Sequence, residues 1–473
     1  MDVIDGMTKD QPFQVTLPSI PEREVMITSF GGKGDGSFDN TEAFARAVAD
    51  CQLHGGGTIK VPAGIWKTGP ITFTNQMRLD LVQHAVIQFS DDPKHYPLIE
   101  SSFEGERVYR CQSPLNGEKI SDIEITGLGV IDGAGQDWRY VKRFKMSEMQ
   151  WETLVNSGGV VTEDEQEWWP SIEALHGKEH IHQLRLQNAD KSEYEKIKHF
   201  LRPSLLSFRS CERIKLSGVT FQNSPAWNVH PLESNDILID GVTIRNPWYS
   251  QNGDGLDIES CKRVIIQNTV FDVGDDAICM KSGKGKWARE LGIPTELVEV
   301  KGCKVYSGHG GFVIGSEMSG GVKDVYVHDC DFYGTDSGLR FKSSRGRGGV
   351  VERIQIERIQ MMDIKEDAIT FQMHYSNNGE KVGETTEAVT EETPVFSDIH
   401  LKKVTCIGAK RPIVIHGLPE QPITNLIFEK IYVESEQALE IHNCDNLVLL
   451  QTEILNRDKK DPVFVNCQFG VKE

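Results

Sequence analysis

The chain has 473 residues, 38% of them hydrophobic and 26% charged, with a net charge of −19; that length exceeds a usual single core and calls for several domains or one elongated architecture. The acidic balance argues against a nucleic-acid binder, whose affinity rests on basic surface, although a local basic patch for an anionic substrate can coexist with it. No stretch is apolar over a membrane-spanning length, and the ten cysteines lack CxxC or His/Cys ligand spacing, so a zinc site is not expected and the thiols should be reduced and buried.

In chain order, the first thirty residues hold no basic segment followed by a long apolar run, which predicts no signal peptide and a cytoplasmic location, or a secreted one if a leader has been trimmed. Asp39 to Gln52 places Phe44, Ala47, Val48 and Cys51 on one helical face, with Asp39 or Asn40 as N-cap and the glycines 55–57 as a stop. This helix, within a cap over about residues 25–60, should plug one end of the molecule. Trp138 to Arg202 is a charged, helix-like insertion containing "EQEWWPS". From Arg213 onward short alternating strands recur, among them "RIKLSGVTF", "DILIDGVTI", "RVIIQNTVF" and "DVYVHDCDF", with starts about 21 to 34 residues apart. Each unit reads strand, two-residue turn, strand, loop, then a third short strand such as "LDIES", "AICMK", "FVIGS" or "LRFKS". Period-2 alternation rich in Val and Ile makes this a β-solenoid. An evenly stranded sandwich does not explain the fixed order of three strands and one variable loop. We therefore expect an all-β chain, a single β-helix domain over 1–473, with a second departure at the acidic loop Ser376 to Thr393.

Alignment on the third strand puts "NGDG", "GDD", "GHGG" and "TDSG" at one corner of successive coils, which stack about 4.8 Å apart. Asp254, Asp275, Asp276 and His309 should then form one polar ladder. Arg340 and Lys342, two apart in a strand, share its face, while Leu339 and Phe341 turn to the core. Strand alternation is expected to send the adjacent Asp275 and Asp276 different ways. Taken singly, an Asp in a Gly-rich turn is ordinary turn chemistry, His309 could be a solvated loop residue, and Arg340 and Lys342 a solvated strand face. Together they form a different object. Clustered carboxylates separate into a protonated acid and an ionised base, the pair that glycoside hydrolysis uses, and the cations suit a substrate that carries carboxylates. "SSRGRGG" is only superficially an RNA-binding tract in so acidic a chain.

These residues resemble the polygalacturonases of glycoside hydrolase family 28, whose fold is a right-handed parallel β-helix. Four family motifs appear in order as "NGDGLD" (Asn252 to Asp257), "GDDAI" (Gly274 to Ile278), "SGHGG" (Ser307 to Gly311) and "RFK" (Arg340 to Lys342). The likeness extends through "QNSPAWNVHP" and the N-terminal "FGGKGDGSFDNTEAF". Gly253 stands where Thr is common, and Phe341 where Ile is. The resemblance implies an inverting hydrolase of α-1,4-galacturonosidic bonds in polygalacturonate or its oligomers. By it Asp275 is the general acid, Asp254 and Asp276 hold and deprotonate the attacking water, and His309 tunes the acid or binds sugar. Arg340 and Lys342 would grip a galacturonate carboxylate, with His230 and Tyr375 as further substrate contacts. The implied partner is a pectic oligo- or polysaccharide, with no cofactor, metal, nucleic acid or membrane; the oligomeric state stays open. "SGHGGFVIGSEMSGG" and "GLRFKSSRGRGG" look closest to bacterial exo-acting enzymes, and the two departures from the repeat are long enough to wall the groove. Rivals are a rhamnogalacturonan hydrolase, a lyase using the Asp cluster for calcium, and a non-catalytic carbohydrate-binding β-helix.

Overall fold

Short β-branched strands joined by tight turns bury their apolar rows only when coil stacks on coil. The computed structural model, which describes residues 2–8, 12–187, 189–375 and 385–470, is a right-handed parallel β-helix built this way. Ile214, Ile237, Val264, Val298, Val325 and Ile354 pair from coil to coil, and none is more than 1% exposed. Each such side chain contributes roughly 1.5–3 kcal/mol on burial. One apolar core runs from Ile27 to Leu447. All ten cysteines are free thiols, nine buried and Cys467 half-buried.

One corner of the coils bends at a single left-handed residue. Asp122, Arg213, Asp236, Arg263, Leu297, Asp324 and Arg353 occupy this position, with φ between 52° and 61°. That region suits Asp and strains Arg by about 1–2 kcal/mol. Bidentate pairs between neighbouring coils offset the strain: Arg213 donates to Asp122 at 2.8 and 2.9 Å, Arg263 to Asp236 at 2.8 and 2.7 Å, and Arg353 to Asp324 at 2.8 and 3.0 Å. Strain and charge pairing together pin the register.

The predicted cap is helix α1 (Thr41–Leu53), whose Ala43, Phe44, Ala47 and Cys51 are buried, with Val48 half-buried against the same core. Asn40 is the residue at the N-cap, but its side chain bonds the backbones of Lys33, Phe38 and Lys67; Asp39 accepts the Thr41 N–H instead, at 2.9 Å. At the far end, the last strand, Val463–Phe469, leaves Val463, Phe464, Val465 and Phe469 exposed.

The insertion after Trp138 forms α2 (Glu148–Asn156), α3 (Ile172–Leu186) and α4 (Lys191–Glu195). It also forms a small antiparallel sheet of Val141–Lys142, Glu167–Trp169 and Val160–Val161 that the sequence reading did not anticipate. Trp138, Tyr194, Ile197 and Leu201 pack on Tyr96, Leu98 and Cys111, thereby docking the insertion on an antiparallel hairpin, Leu98–Phe103 with Glu106–Cys111. That hairpin is a further, unforeseen departure from the repeat. Of the acidic loop expected over 376–393, residues 376–384 lie outside the described residues. The remainder is tied down by Arg345 donating to the Thr385 carbonyl at 3.0 Å and Arg289 to Glu392 at 3.2 Å.

Candidate active site

Five successive third strands carry the site: β1 (Val229–Leu232), β2 (Leu256–Glu259), β3 (Asp276–Lys281), β4 (Gly310–Gly315) and β5 (Ser337–Lys342). Val229, Leu256, Ile278, Phe312 and Leu339 align across them. The turns leading into the strands are in register too. Gly255 N–H donates to the Asp276 carbonyl at 2.9 Å, His309 N–H to the Asp275 carbonyl at 2.9 Å, and Ser337 N–H to the His309 carbonyl at 3.0 Å.

This stacking brings carboxylate oxygens of Asp254, Asp275 and Asp276 within 4.8 Å of one another. The two adjacent aspartates therefore do not diverge, contrary to the expectation from strand alternation. Asp275 lies in the turn, where its Oδ1 accepts the Asp276 N–H at 3.0 Å. Ala277 and Ile278 both enter the core, a break in alternation that frees Asp276 for the outer face. There it meets Lys342 Nζ at 2.6 Å and Arg340 Nη1 at 3.4 Å. His309 Nδ1 lies 3.0 Å from Asp275. Tyr375 presents its ring to both cations, 5.7 Å from Arg340 and 5.1 Å from Lys342. His230 stands apart from this cluster: it is buried, 2.7 Å from Glu259, edge-on to Trp227, and lines a cavity of about 310 Å³ bounded by Thr72, Ser102, Arg110 and Ser207.

Both departures from the family pattern have local causes. A Cβ on Gly253 would fall 1.8 Å from Ser250 Oγ, so Ser250 fills the space a Thr would need. Phe341 stacks on Phe371 of the next coil at 4.2 Å, a contact Ile could not make.

The electrostatics sort the acids. Burial pushes the Asp254 carboxyl well up, and the charges of Asp275 and Asp257 push it further. Burial also presses Asp275 upward, but His309, then Lys342 and Arg340, outweigh it and hold the carboxyl below the ordinary range. His309 is correspondingly raised by Asp275 against the effect of burial. The surroundings thus favour a proton on Asp254 and on His309 and the ionised form of Asp275.

Several contributors escaped the sequence reading. Lys281 is buried beneath the cluster, with Nζ 2.9 Å from Glu317, 3.5 Å from Asp257 and 4.0 Å from Asp254. Asp257 is pushed up to about 7 by burial, in spite of Lys281 and His230. Both occupy outward positions of third strands, and the alternation that exposed Arg340 and Lys342 would have found them. No such signal marks the others. The hairpin tip brings Glu104 to accept from Asn252 Nδ2 at 3.2 Å. Arg202, at the end of the insertion, donates to Asn252 Oδ1 and to the Gln251 carbonyl, both at 2.9 Å, with its guanidinium over Tyr140. Lys145 comes within electrostatic reach of Asp275 and Asp336.

Three carboxylates at this spacing could hold a hard cation in other surroundings. Here Lys342, Arg340 and His309 already occupy Asp276 and Asp275, so the donor set is poorly suited to calcium. The arrangement is equipped for proton transfer at a bond whose substrate carries negative charge.

A model of the glycosyl hydrolases family 28 matches residues 150–454. A probable polygalacturonase of Vitis vinifera is 29% identical over 417 residues, covering 86% of this chain and 73% of that protein. An exo-poly-alpha-D-galacturonosidase of Dickeya chrysanthemi is 28% identical over 411 residues, 85% of this chain and 65% of that one. Among solved structures, a hyperthermoactive exopolygalacturonase from Thermotoga maritima superposes with a TM-score of 0.76 at 28% identity, covering 92% of this chain and 94% of that one.

Proposed function

The chain belongs to family 28 of the glycosyl hydrolases, and on that premise we propose that it hydrolyses α-1,4-galacturonosidic bonds of polygalacturonate or its oligomers from chain ends, releasing galacturonic acid. Three carboxylates within 4.8 Å, flanked by an imidazole and two cations, carry this reading. They supply acid and base for the glycosidic bond and charge for a uronate.

The resting protons suggest the route. A uronate carboxylate arriving beside Arg340 and Lys342 adds negative charge to the cluster and raises the proton affinity of Asp275. The His309 proton passes across the 3.0 Å contact to Asp275, which delivers it to the leaving glycosidic oxygen. Protonated Asp254 holds the water, Asp276 takes the water's proton, and the C1–O bond to the leaving sugar breaks as the bond to water forms. No covalent sugar intermediate is required, and inversion is the expected outcome. The nearest oxygens are closer than the roughly 6.5–9.5 Å between carboxyls in typical inverting pairs. Proton NMR of the first product therefore tests the stereochemistry directly: the β-anomer supports the route, and the α-anomer would replace it with a retaining one.

Release from chain ends is supported by the insertion and hairpin beside the cluster, and by the relatives described as exo-acting. The residues these elements bring near the site include Lys145, a cation that suits the carboxylate of a terminal sugar, while Arg202 is engaged by Pro225, Gln251 and Asn252. The activity is tested on polygalacturonate with and without chelator. New reducing ends that survive chelation support hydrolysis; unsaturated, ultraviolet-absorbing products lost on chelation would indicate a lyase.

A further inference from the structure

Along the outer face of the same sheet, Lys342 pairs in register with Gln372, Gln372 with His416, and His416 with His442. Two coils beyond Lys342, about 10 Å away at 4.8 Å per coil, this row reaches His416; Glu440 and His442 lie on the coil after it. His416, Glu440 and His442 there offer ligand atoms within 4.8 Å of one another. Glu440 Oε1 lies 3.1 Å from His416 Nε2 and 3.0 Å from His442 Nε2.

Hydrogen bonds behind the cluster orient one imidazole. The Gln372 amide nitrogen donates to Thr370 Oγ1 at 3.3 Å, which leaves its oxygen to accept from His416 Nδ1–H at 3.2 Å. His416 Nε2 itself makes a 3.1 Å hydrogen bond to Glu440 Oε1; with one proton held on Nδ1, release of the Nε2 proton leaves a lone pair aimed toward the carboxylate. His442 Nε2 is shielded from solvent and makes no aligned hydrogen bond, although Glu440 is its neighbour. Arg411, the other charge acting on Glu440, is held by Asp367 at 2.6 and 3.0 Å. Two nitrogen atoms and a carboxylate oxygen thus converge on one point, with a side-chain carbonyl fixing a ligand tautomer, as behind metal-bound histidines.

We propose that His416, Glu440 and His442 form a divalent transition-metal site of the zinc class, whose open position docks a carboxylate of the substrate. Two imidazoles and one carboxylate are a borderline donor set that suits Zn²⁺ over Ca²⁺ or Mg²⁺. The side chains are only partly buried, at 18%, 37% and 33% exposure, so a further ligand can enter from the groove. Small rotations would bring the three atoms to the ~2.0–2.2 Å bond lengths of such a site. Local motif searches miss it because Glu440 follows His416 by 24 residues, and the coil, not the sequence, makes them neighbours. The docking role rests on the galacturonate reading above; the metal site does not.

Chelator-stripped full-length protein is titrated with Zn²⁺ by calorimetry and with Co²⁺ by visible absorption. One Zn²⁺ per chain is expected, with four-coordinate Co²⁺ bands, and affinity should fall ~10-fold or more in both Glu440→Gln and His416→Ala. Thermal melts establish that each variant is folded. Absence of stoichiometric binding would overturn the site. So would binding that survives both variants and disappears in Asp254→Asn, since the ion would then sit at the catalytic carboxylates. For docking, Zn²⁺ should lower KM for oligogalacturonates in the unmodified protein and not in Glu440→Gln; an unchanged KM with metal bound would overturn docking while leaving the site. A protein that binds Zn²⁺ but cleaves no galacturonan would refute the proposed function alone.

Discussion

Asp275 and His309 hold one proton between them, and that pairing sets the expected pH behaviour. His309 is raised in the folded state, so its contribution to stability is complete below about pH 6.5 and is lost as pH rises through its folded value. Asp275 is depressed, so its contribution is present above about pH 3.9 and is lost as pH falls through its folded value. The pair therefore stabilises the fold across the interval between these limits. The His309 imidazole should titrate above an ordinary histidine by NMR and drop in Asp275→Asn; an unchanged titration would remove the pair from the mechanism. The same variant should lose roughly 10²- to 10⁴-fold in kcat with oligogalacturonate binding largely retained. Neutralising Arg340 or Lys342 should weaken that binding, and the deficit should shrink at high salt for the exposed fraction of the charge. Equal loss on a neutral glycoside would instead point to disturbed Asp276, the carboxylate both cations hold.

On the proposed reading, the insertion is the element that should decide between attack at chain ends and attack within the chain. Arg143 N–H bonds the Gln166 carbonyl at 2.8 Å, so 144–165 can be excised and the ends joined across that contact. The intact enzyme should release monomer while polygalacturonate viscosity stays nearly constant. Excision, with folding checked by a melt, should give a steeper viscosity loss per bond broken. Identical curves would assign the wall elsewhere. The elements were unequally legible in the sequence. Strands such as Glu212–Ser217 and helix α1 declare themselves because one face must be buried, and Asp254 falls on Asp276, and Asp275 on His309, because parallel register stacks equivalent positions. Glu104, Lys145 and Arg202 reach the site through packing of one irregular element on another, Trp138 and Tyr194 against Tyr96 and Leu98, and no periodicity encodes that. The rotation of Asp276 to the outer face was hidden for a related reason: it depends on two consecutive residues entering the core, against the alternation.

For the whole molecule, the corner ladder predicts where stability is concentrated. Asp236→Ala removes both bonds to Arg263 and the acceptor for the Thr16 N–H, and places a residue without a compensating side chain at φ 56°. A loss of about 1–3 kcal/mol is expected in urea melts. Asp236→Asn should lose less, because Asn tolerates this backbone region; equal losses would mean that backbone conformation contributes nothing there. The same bend recurring at one position per coil also restricts how the chain can change length. At the insertion, the hairpin and the acidic loop, any number of residues can be added or removed without disturbing the stack. Within a strand, losing one residue turns the side chains up to the next loop to the wrong face, so single residues come and go in the loops while the strands change by whole coils. A groove on such a scaffold lengthens in fixed steps, whereas its walls vary continuously, and the two dimensions of the substrate site can evolve independently.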